Sequence, residues 1–237
     1  MRIAILEDDP EMAAFLSNTL SSAGHSCHQF ASGRDFVRTL RRQTFDLITL
    51  DWQVPDMTGE QVLHWVRQHV ADPVPVIFIT SYARDNDMMS TLNAGADDYV
   101  VKPVAAGVLL ARVDSLLRRA YKVNPSSVHE TYGDFEFDLA SEQVRCKGNP
   151  VALTRREFLL ALLLFQNIGR PLTRAYIFEV VWKQAPDIRS RTMDTHVSLV
   201  RSKLSLRPEN GYRLASVYAY GYRLEQIPAA TSPYQSN

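Results

Sequence analysis

The chain has 237 residues, 46% of them apolar and 22% charged, which is typical of a globular protein with about two domains and excludes a largely disordered chain. Its longest dense apolar stretch, Leu159 to Phe165, is too short to cross a bilayer, so we expect no membrane association. The two halves differ in charge, with 12 Lys/Arg against 15 Asp/Glu (−3) in residues 1–124 and 14 against 11 (+3) in residues 125–237, so only the second half favours an anionic partner.

The first 120 residues alternate short apolar runs with amphipathic segments. We predict strands in IAIL (3–6), HSCHQF (25–30), FDLITL (45–50), PVIFIT (75–80) and DYVV (98–101). We predict helices near residues 11–22, 33–42, 59–69, 84–93 and 105–120. Strands that alternate with helices in this way predict a doubly wound α/β domain, in which a five-stranded parallel sheet is covered on both faces. In such a sheet, ligands bind at the carboxyl ends of the strands.

The pattern changes after residues 122–128, KVNPSSV, which are predicted to be a linker because they offer little to bury. The following segment has an α+β pattern. Strands are predicted in YGDFEF, QVRC and PVAL, helices near residues 154–167, 173–181 and 188–205, and a terminal hairpin in YRLAS and GYRLE. The predicted domains are therefore residues 1–121 and 129–226, with a flexible tail at residues 227–237.

Acidic side chains follow two of the predicted parallel strands at the same rim. The first strand ends at Glu7 and Asp8 and the third at Asp51, so three carboxylates should lie close together. Crowded carboxylates repel each other until one is protonated or a cation joins them, and Mg²⁺ suits a few carboxylates with phosphate oxygens. Thr80 ends the fourth strand and Lys102 follows the fifth. For any one of these acids alone, the simpler interpretation is a solvated helix cap. The acids, the hydroxyl and the amine together predict a binding site for a phosphoryl group.

The first domain resembles the receiver domain of two-component response regulators over essentially all of residues 1–120. The resemblance is carried by the acidic pair Glu7–Asp8, Asp51 within LDWQVPDMTG, Thr80 within IFITS and Lys102 within GADDYVVKP. It implies a flavodoxin-like fold in which Asp51 accepts a phosphoryl group from the phosphohistidine of a sensor histidine kinase. It also implies that Lys102 pairs with the phosphoryl oxygens and that Thr80 forms a hydrogen bond with them.

The same resemblance implies a metal site and a conformational switch. The implied ligands of Mg²⁺ are Glu7, Asp8, Asp51 and the backbone carbonyl of Gln53. On phosphorylation, Thr80 would move towards the phosphoryl group, and Tyr99 would turn inward to fill the space. The alternative for Tyr99 is an ordinary strand tyrosine that is half packed on the sheet.

The second domain resembles a particular subfamily of response regulators, described below. In that subfamily, activated receivers form two-fold pairs through the fourth helix, the fifth strand and the fifth helix. The resemblance therefore implies a homodimer on activation. The charged residues at matching positions are Asp97, Asp98, Arg112 and Arg118. This chain departs from the family at Met88 and Val108, which replace a basic residue and a glutamate. An apolar contact in place of an ion pair would change partner choice or indicate a different dimer.

Residues 128–226 resemble the winged-helix effector domain of the OmpR/PhoB subfamily, which implies binding to double-stranded DNA. The motifs are LTRREFLLALLLFQNIGRPLTR (153–174), VVW (180–182), SRTMDTHVSLVRSKL (190–204) and YAYGYRLE (218–225). The loop at residues 183–189 corresponds to a segment that contacts RNA polymerase in relatives.

The third helix of this domain has one apolar stripe. At about 100° per residue, Met193, Val197, Val200 and Leu204 share a face, which we expect to be buried. The opposite face carries small polar residues and arginine, which suits a major groove, although a solvated face is the simpler interpretation of the helix alone. The candidate DNA contacts are Arg191, Thr195, His196, Ser198, Leu199, Arg201, Lys203 and Tyr218.

Two of these candidates depart from the family. Leu199 and Tyr218 stand where relatives commonly have a base-reading arginine and a wing-tip arginine, so binding should be weaker and less dependent on salt. Leu199 could instead contact thymine methyl groups, and Tyr218 could contact sugar and phosphate. We therefore predict A·T pairs near Leu199 in the bound sequence.

The leading hypothesis is a phosphorylation-activated, DNA-binding transcriptional regulator of a two-component system. It would be cytoplasmic, with Cys27 and Cys146 as free thiols in a reducing compartment. The alternative is a receiver coupled to a protein-interaction output. A nucleotide-hydrolysing enzyme is not favoured because the chain lacks a G-x-x-x-x-G-K-[ST] loop. We expect no enzymatic activity beyond self-phosphorylation and slow self-hydrolysis.

Overall fold

The computed structural model describes residues 1–70, 74–81, 85–121, 128–183 and 190–227, and all of their side chains except those of residues 85–87, 190 and 191. The chain divides into two compact units, Met1–Asn124 and Pro125–Asn237. The predicted linker apart from Val128, and the predicted tail after Ile227, lie outside the described residues. Within the described part, no helix is both long enough and apolar enough to cross a membrane.

The first unit is built on the predicted sheet. Its strands are β1 (Arg2–Leu6), β2 (Ser26–Phe30), β3 (Leu47–Leu50), a short antiparallel pair β4 (Gln53–Val54) and β5 (Met57–Thr58), β6 (Val76–Thr80) and β7 (Asp98–Val101). Its helices are α1 (Pro10–Ser22), α2 (Gly33–Leu40), α3 (Gly59–His69), α4 (Asp85–Asn93) and α5 (Ala106–Tyr121). Five strands form one parallel sheet in the order β2-β1-β3-β6-β7, which is the flavodoxin-like order. The predicted α/β fold is confirmed.

The central strands are buried on both faces because helices cover both. Ala4, Ile48 and Phe78 belong to a core that includes residues of α2 and α3. Ile3 and Ile77 point the other way, into a core with residues of α1 and α5. Successive residues of these central strands point alternately into the two hydrophobic cores, so the strands carry continuous apolar runs.

Local sequence fixes the loops at the carboxyl ends of these strands. The Asp9 side chain accepts hydrogen bonds from the first turn of α1, which has Pro10 at its first position. Thr58 and Gln61 form a reciprocal capping box at the start of α3. Gly59, the first residue of α3, approaches the backbone so closely that a Cβ atom would lie 2.2 Å from the carbonyl oxygen of Asp51. Only glycine fits there, and this contact holds the segment after β3 in place.

The second unit has an α+β architecture. Its strands are β8 (His129–Tyr132), β9 (Phe135–Asp138), β10 (Gln143–Cys146), β11 (Asn149–Val151), β12 (Leu172–Thr173), β13 (Tyr212–Val217) and β14 (Gly221–Gln226). Its helices are α6 (Arg155–Gln166), α7 (Arg174–Trp182), α8 (Ser190–Lys203) and a 3₁₀ turn at Pro208–Asn210. An antiparallel sheet in the order β11-β10-β9-β8 precedes three helices, and β12-β14-β13 form a second sheet that contains the terminal hairpin. This is the predicted winged-helix fold.

One strand prediction in this unit was wrong in detail, and one short strand was missed. YGDFEF was predicted as one strand, but the chain reverses within it and pairs β8 with β9. Gly133, with φ of 57°, supplies the left-handed residue that the turn requires. The two-residue strand β12 was not predicted, because so short a segment has no periodicity.

The core of the second unit confirms the predicted stripe of the third helix. Met193, Val197 and Val200 of α8 and Leu204, which follows its last residue, are at most 2% exposed. They belong to a cluster that includes Phe137, Phe158 and Phe165 from the first sheet and α6. The opposite face of α8 is therefore the face that can meet a ligand.

Candidate functional site

Three carboxylates meet at the carboxyl ends of β1 and β3. Glu7 and Asp8 follow β1, and Asp51 follows β3, and an oxygen atom from each lies within 4.8 Å of the others. Glu7 is buried and Asp8 is exposed, whereas the Asp51 side chain is 12% exposed. Burial, reinforced by the charge of Asp51, raises the pKa of Glu7 despite the opposing hydrogen bonds from Lys102. Burial and the neighbouring carboxylate thus disfavour the ionised form of Glu7.

Lys102 supplies positive charge to this cluster. Its Nζ atom donates to Glu7 Oε1 and Oε2 at 2.9 and 2.7 Å and to Asp51 Oδ2 at 2.8 Å. The backbone of Lys102 is fixed because its N–H donates to the carbonyl of Thr80. Burial lowers the pKa of Lys102, but the hydrogen bonds with Asp51 and Glu7 outweigh it and leave this pKa raised. The ammonium group therefore stays charged at neutral pH.

Asp51 is held by the backbone on both sides. Its N–H donates to the carbonyl of Leu6, and the N–H of Trp52 donates to its Oδ1 atom at 2.6 Å. Gln53 begins β4 two residues later and is exposed. Thr80 is fully buried at the end of β6, the neighbour of β3 in the sheet. Each of these residues lies at the rim where the sequence predicted it.

A row of aromatic rings leads from Asp51 towards Tyr99. The ring of Trp52 lies 5.8 Å from that of Phe78, and Phe78 stacks on Tyr99 with centroids 6.2 Å apart. Tyr99 is only 5% exposed, so its ring already points inward, whereas the resemblance implied an inward turn on phosphorylation and the alternative was a half-packed ring. These three rings form a continuous packed contact between the residue after Asp51 and Tyr99.

The exposed face of α8 carries hydroxyl groups and one leucine. Thr195, Ser198 and Ser202 are exposed, and Leu199 is 41% exposed. The side chain of Arg191 lies outside the described part. At the tip of the hairpin between β13 and β14, Tyr218 is 99% exposed.

The other candidate DNA contacts on α8 have partners inside the domain. Arg201 donates to the carbonyl of Leu214 from Nε and Nη2, at 3.1 and 2.9 Å. Lys203 donates to both carboxylate oxygens of Glu157, at 3.0 and 2.7 Å. The His196 ring stands edge-on to the ring of Trp182 at 5.3 Å, and its Nδ1 atom lies 2.7 Å from the carbonyl of Thr192.

Comparison with known proteins agrees with both halves of this geometry. Residues 3–114 match the family described as response regulator receiver domain, and residues 148–224 match the family described as transcriptional regulatory protein, C terminal. The chain belongs to the OmpR/PhoB subfamily of response regulators. Members of this subfamily regulate transcription in two-component systems, under the control of phosphorylation.

Relatives match this chain over nearly its whole length. The regulatory protein VanRc of Enterococcus gallinarum is 31% identical, over 95% of this chain and 99% of its own. The transcriptional regulatory protein CreB of Escherichia coli is 35% identical, over 88% of this chain and 93% of its own. Among solved structures, the response regulator DrrB of Thermotoga maritima is 27% identical, over 94% of this chain and 98% of that chain, with a TM-score of 0.45.

The acidic residues of the predicted pairing face form ion pairs within this chain. Asp98 is paired with Arg112 at 2.8 Å, and Asp97 is paired with Arg67 at 2.8 Å. Asp97 also accepts a hydrogen bond from the N–H of Val76. Arg118 and Val108 are exposed on α5, and Met88 is half-buried on α4.

Sequence reasoning missed one cluster in the effector domain of this OmpR/PhoB regulator. Asp194 on α8 accepts hydrogen bonds from Arg174 at the start of α7 and from the hydroxyl of Tyr222 on β14. The Arg174 guanidinium also lies over the Tyr222 ring. An acidic residue is unexpected on a helix that is predicted to approach phosphates, and Asp194 could have revealed the cluster for that reason. The cluster connects α8 to α7 and to β14.

Proposed function

We propose that Asp51 is the phosphoryl acceptor through which a sensor histidine kinase controls this regulator. The observation that carries the proposal is the ammonium group of Lys102, which lies within 2.8 Å of Asp51 and also contacts Glu7. A carboxylate is a weak nucleophile towards an anionic phosphoryl group, so a fixed positive charge beside it lowers the repulsion. The nucleophile must also be held in a fixed orientation, and backbone contacts at the end of β3 hold the Asp51 carboxylate in this way.

In the proposed reaction, one carboxylate oxygen of Asp51 attacks the phosphorus of the kinase phosphohistidine. The new P–O bond forms as the P–N bond breaks, and the imidazole of the kinase leaves with the electron pair of that bond. Lys102 pairs with the phosphoryl oxygens, and the Thr80 hydroxyl donates a hydrogen bond to them. Beyond this step and the slow hydrolysis of the acyl phosphate, we propose no enzymatic activity.

Mg²⁺ fits the carboxylate cluster. The donors are hard oxygen atoms from three side chains within 4.8 Å of one another, which is the ligand type that this ion prefers. Glu7, Asp8 and Asp51, with the backbone carbonyl of Gln53, would hold the ion. When bound, it would neutralise charge on the carboxylates and on the phosphoryl oxygens.

The proposed switch uses Thr80 and Tyr99. Attraction of the Thr80 hydroxyl to the new phosphoryl oxygens would alter the packing at the end of β6. The inward ring of Tyr99, stacked on Phe78, would follow that change and alter the face formed by α4, β7 and α5. Pairing of two copies through this face would then bring two effector domains to half-sites about one helical turn apart.

The proposed output is binding to double-stranded DNA in the cytoplasm, followed by contact with RNA polymerase. The alternative output is a protein partner, and exposed Leu199 and Tyr218 are the observations that favour it. Retention of random-sequence duplex on a filter separates the two outputs. A DNA-binding domain retains duplex with a strong dependence on salt, whereas a protein-interaction module does not.

Asp51→Asn tests the acceptor directly. Incubated with acetyl phosphate and Mg²⁺, the parent chain should gain the mass of one phosphoryl group, and Asp51→Asn should gain none because an amide is not a nucleophile at phosphorus. Asp35→Asn, which removes an exposed carboxylate on α2, is the matched control and should be phosphorylated like the parent. Equal phosphorylation of Asp51→Asn and the parent would show that the acceptor lies elsewhere.

A further inference from the structure

The exposed face of α8 has a contiguous patch of four residues, here named the α8 patch. It consists of Thr195, Ser198, Leu199 and Ser202, whose spacing of i, i+3, i+4 and i+7 places them on one side of the helix. Leu199 is its one large side chain and is 41% exposed. The patch has three hydroxyl groups around one apolar group and no formal charge.

The charged residues of α8 with described side chains are directed elsewhere. Arg201 reaches the carbonyl of Leu214, and Lys203 reaches the buried carboxylate of Glu157. The charge of Asp194 is balanced by Arg174. None of these three groups is therefore available to pair with a base edge beside Leu199 without losing a contact inside the domain.

Among the four bases, only thymine offers an apolar group in the major groove, its C5 methyl. A guanine is read best by two donors from arginine or lysine, and a leucine placed against its O6 and N7 atoms would strip water from them without replacing the hydrogen bonds. The hydroxyl groups of serine and threonine can donate or accept and therefore discriminate little. Base discrimination by the α8 patch therefore depends on Leu199.

We propose that the α8 patch reads thymine by contact of Leu199 with the C5 methyl group, so that the target half-sites carry a thymine under this residue. The proposal rests on the proposed function, in which α8 enters the major groove of DNA. The target sequences would therefore contain thymine at this position. Specificity would come from an apolar contact of Leu199, whereas an arginine at this position would make a charged contact.

Removal of the methyl group alone tests the proposal. Duplexes are selected from a random pool with the full-length chain in the presence of acetyl phosphate and Mg²⁺. Each thymine of the selected half-site is then replaced singly by deoxyuridine, which lacks only the C5 methyl, and the Kd is measured by fluorescence anisotropy. In the parent chain, one thymine per half-site should lose affinity about fourfold on this replacement, the value expected for one buried methyl group.

Variants at position 199 show whether the leucine is responsible. In Leu199→Ala the difference between thymine and deoxyuridine should disappear at that position and persist unchanged at any other. Leu199→Arg should prefer guanine there, because its guanidinium can donate to O6 and N7. Val180→Ala, at a valine that is 40% exposed on α7, is the matched control and should behave like the parent.

The possible failures are distinguishable. The proposal is overturned if deoxyuridine replaces every thymine without loss in the parent, or if Leu199→Ala keeps the full sensitivity to the methyl group, and in both cases DNA binding itself stands. If no duplex is bound with salt dependence, the proposed DNA-binding output fails, and the reading of thymine fails with it.

Discussion

At the scale of single residues, the acceptor site depends on one ammonium group that two carboxylates share. The Lys102 side chain is 12% exposed and the Glu7 side chain 1%, so neither charge is well solvated. A phosphoryl group on Asp51 would bring further negative charge to the same ammonium. Contacts of Lys102 with Glu7 and with the phosphoryl oxygens would then compete. The position of the Lys102 side chain would therefore depend on whether Asp51 is phosphorylated.

His25 illustrates the opposite situation, a titratable group that lacks a partner. Both of its ring nitrogens are buried and have no hydrogen-bond partner among the described residues. The Asp114 carboxylate on α5 is 4.0 Å away, and the N-terminal amine and Asp46 also act on the ring. Burial, together with the positive N-terminus, lowers the pKa of His25 below its ordinary value of 6.5, against the opposing effect of the two acids. The folded state thus favours the neutral ring.

We expect acid to destabilise the receiver domain through His25. Because the folded-state pKa is the lower one, the unfolded chain takes up the proton first as the pH falls. This contribution to stability is complete above the ordinary pKa of 6.5 and declines as the pH falls from there towards the folded-state pKa. Urea denaturation between pH 7.5 and about pH 5 should show the decline in the parent and a flatter profile in His25→Leu.

His64 provides the control for this prediction. It is exposed on α3, where its ring contacts the side chain of Gln68, so His64→Leu should keep the pH profile of the parent. A parent profile that is flat over this range, or a His25→Leu profile as steep as that of the parent, contradicts the role of His25.

At the scale of elements, α8 is fixed by polar contacts at both ends of its exposed face. Asp194 connects its beginning to α7 and β14, and Lys203 connects its end to Glu157. Glu157 is 2% exposed and also caps α6 through the backbone N–H of Thr154. The orientation of α8 within the effector domain is therefore set by side chains of α6, α7 and β14, and the proposed approach of α8 to DNA would depend on it.

Lys203→Met should separate a positioning role from a contact with phosphate. Loss of the ammonium leaves a buried carboxylate with fewer partners, so the free energy of unfolding should fall by about 1 kcal/mol. A lysine that neutralises a phosphate contributes about one unit to the slope of log Kd against log salt concentration. We expect that slope to be unchanged in Lys203→Met, as measured by anisotropy at several salt concentrations. A slope lower by about one unit would instead identify Lys203 as a phosphate contact.

At the scale of the whole molecule, the regular patterns of the sequence predicted most of the architecture. Short, mainly apolar strands alternating with amphipathic helices led to the parallel sheet. The topology of such a sheet brings Glu7, Asp51 and Lys102 to one rim. Long side chains were less predictable, because periodicity assigns Arg201 to a helix face but not to the carbonyl of Leu214. Turns inside an alternating run were also missed, as at Gly133, because a single glycine does not reveal its φ angle.

The remaining property at this scale is assembly. Met88 and Val108 stand where the resemblance implies an ion pair between a basic residue and a glutamate, so the contact between copies should differ here. Val108 is 47% exposed on α5, and Met89 and Leu92 are 63% and 42% exposed on α4. The two acidic groups nearby are already occupied, because Asp97 and Asp98 are paired within the chain. A homodimer that uses this face would therefore depend more on apolar contact than on ion pairs between its subunits.

We expect Val108→Glu to weaken pairing of the phosphorylated receiver by roughly tenfold, because it places an unpaired charge against apolar side chains of a second copy. Sedimentation equilibrium of the full-length chain with acetyl phosphate and Mg²⁺ measures the dissociation constant. Adding Met88→Lys to Val108→Glu should restore much of the pairing, since the two substitutions together recreate the ion pair of relatives. Val180→Glu is the control for an added surface charge and should pair like the parent. Pairing of Val108→Glu that is as tight as that of the parent would place the contact between copies on another face.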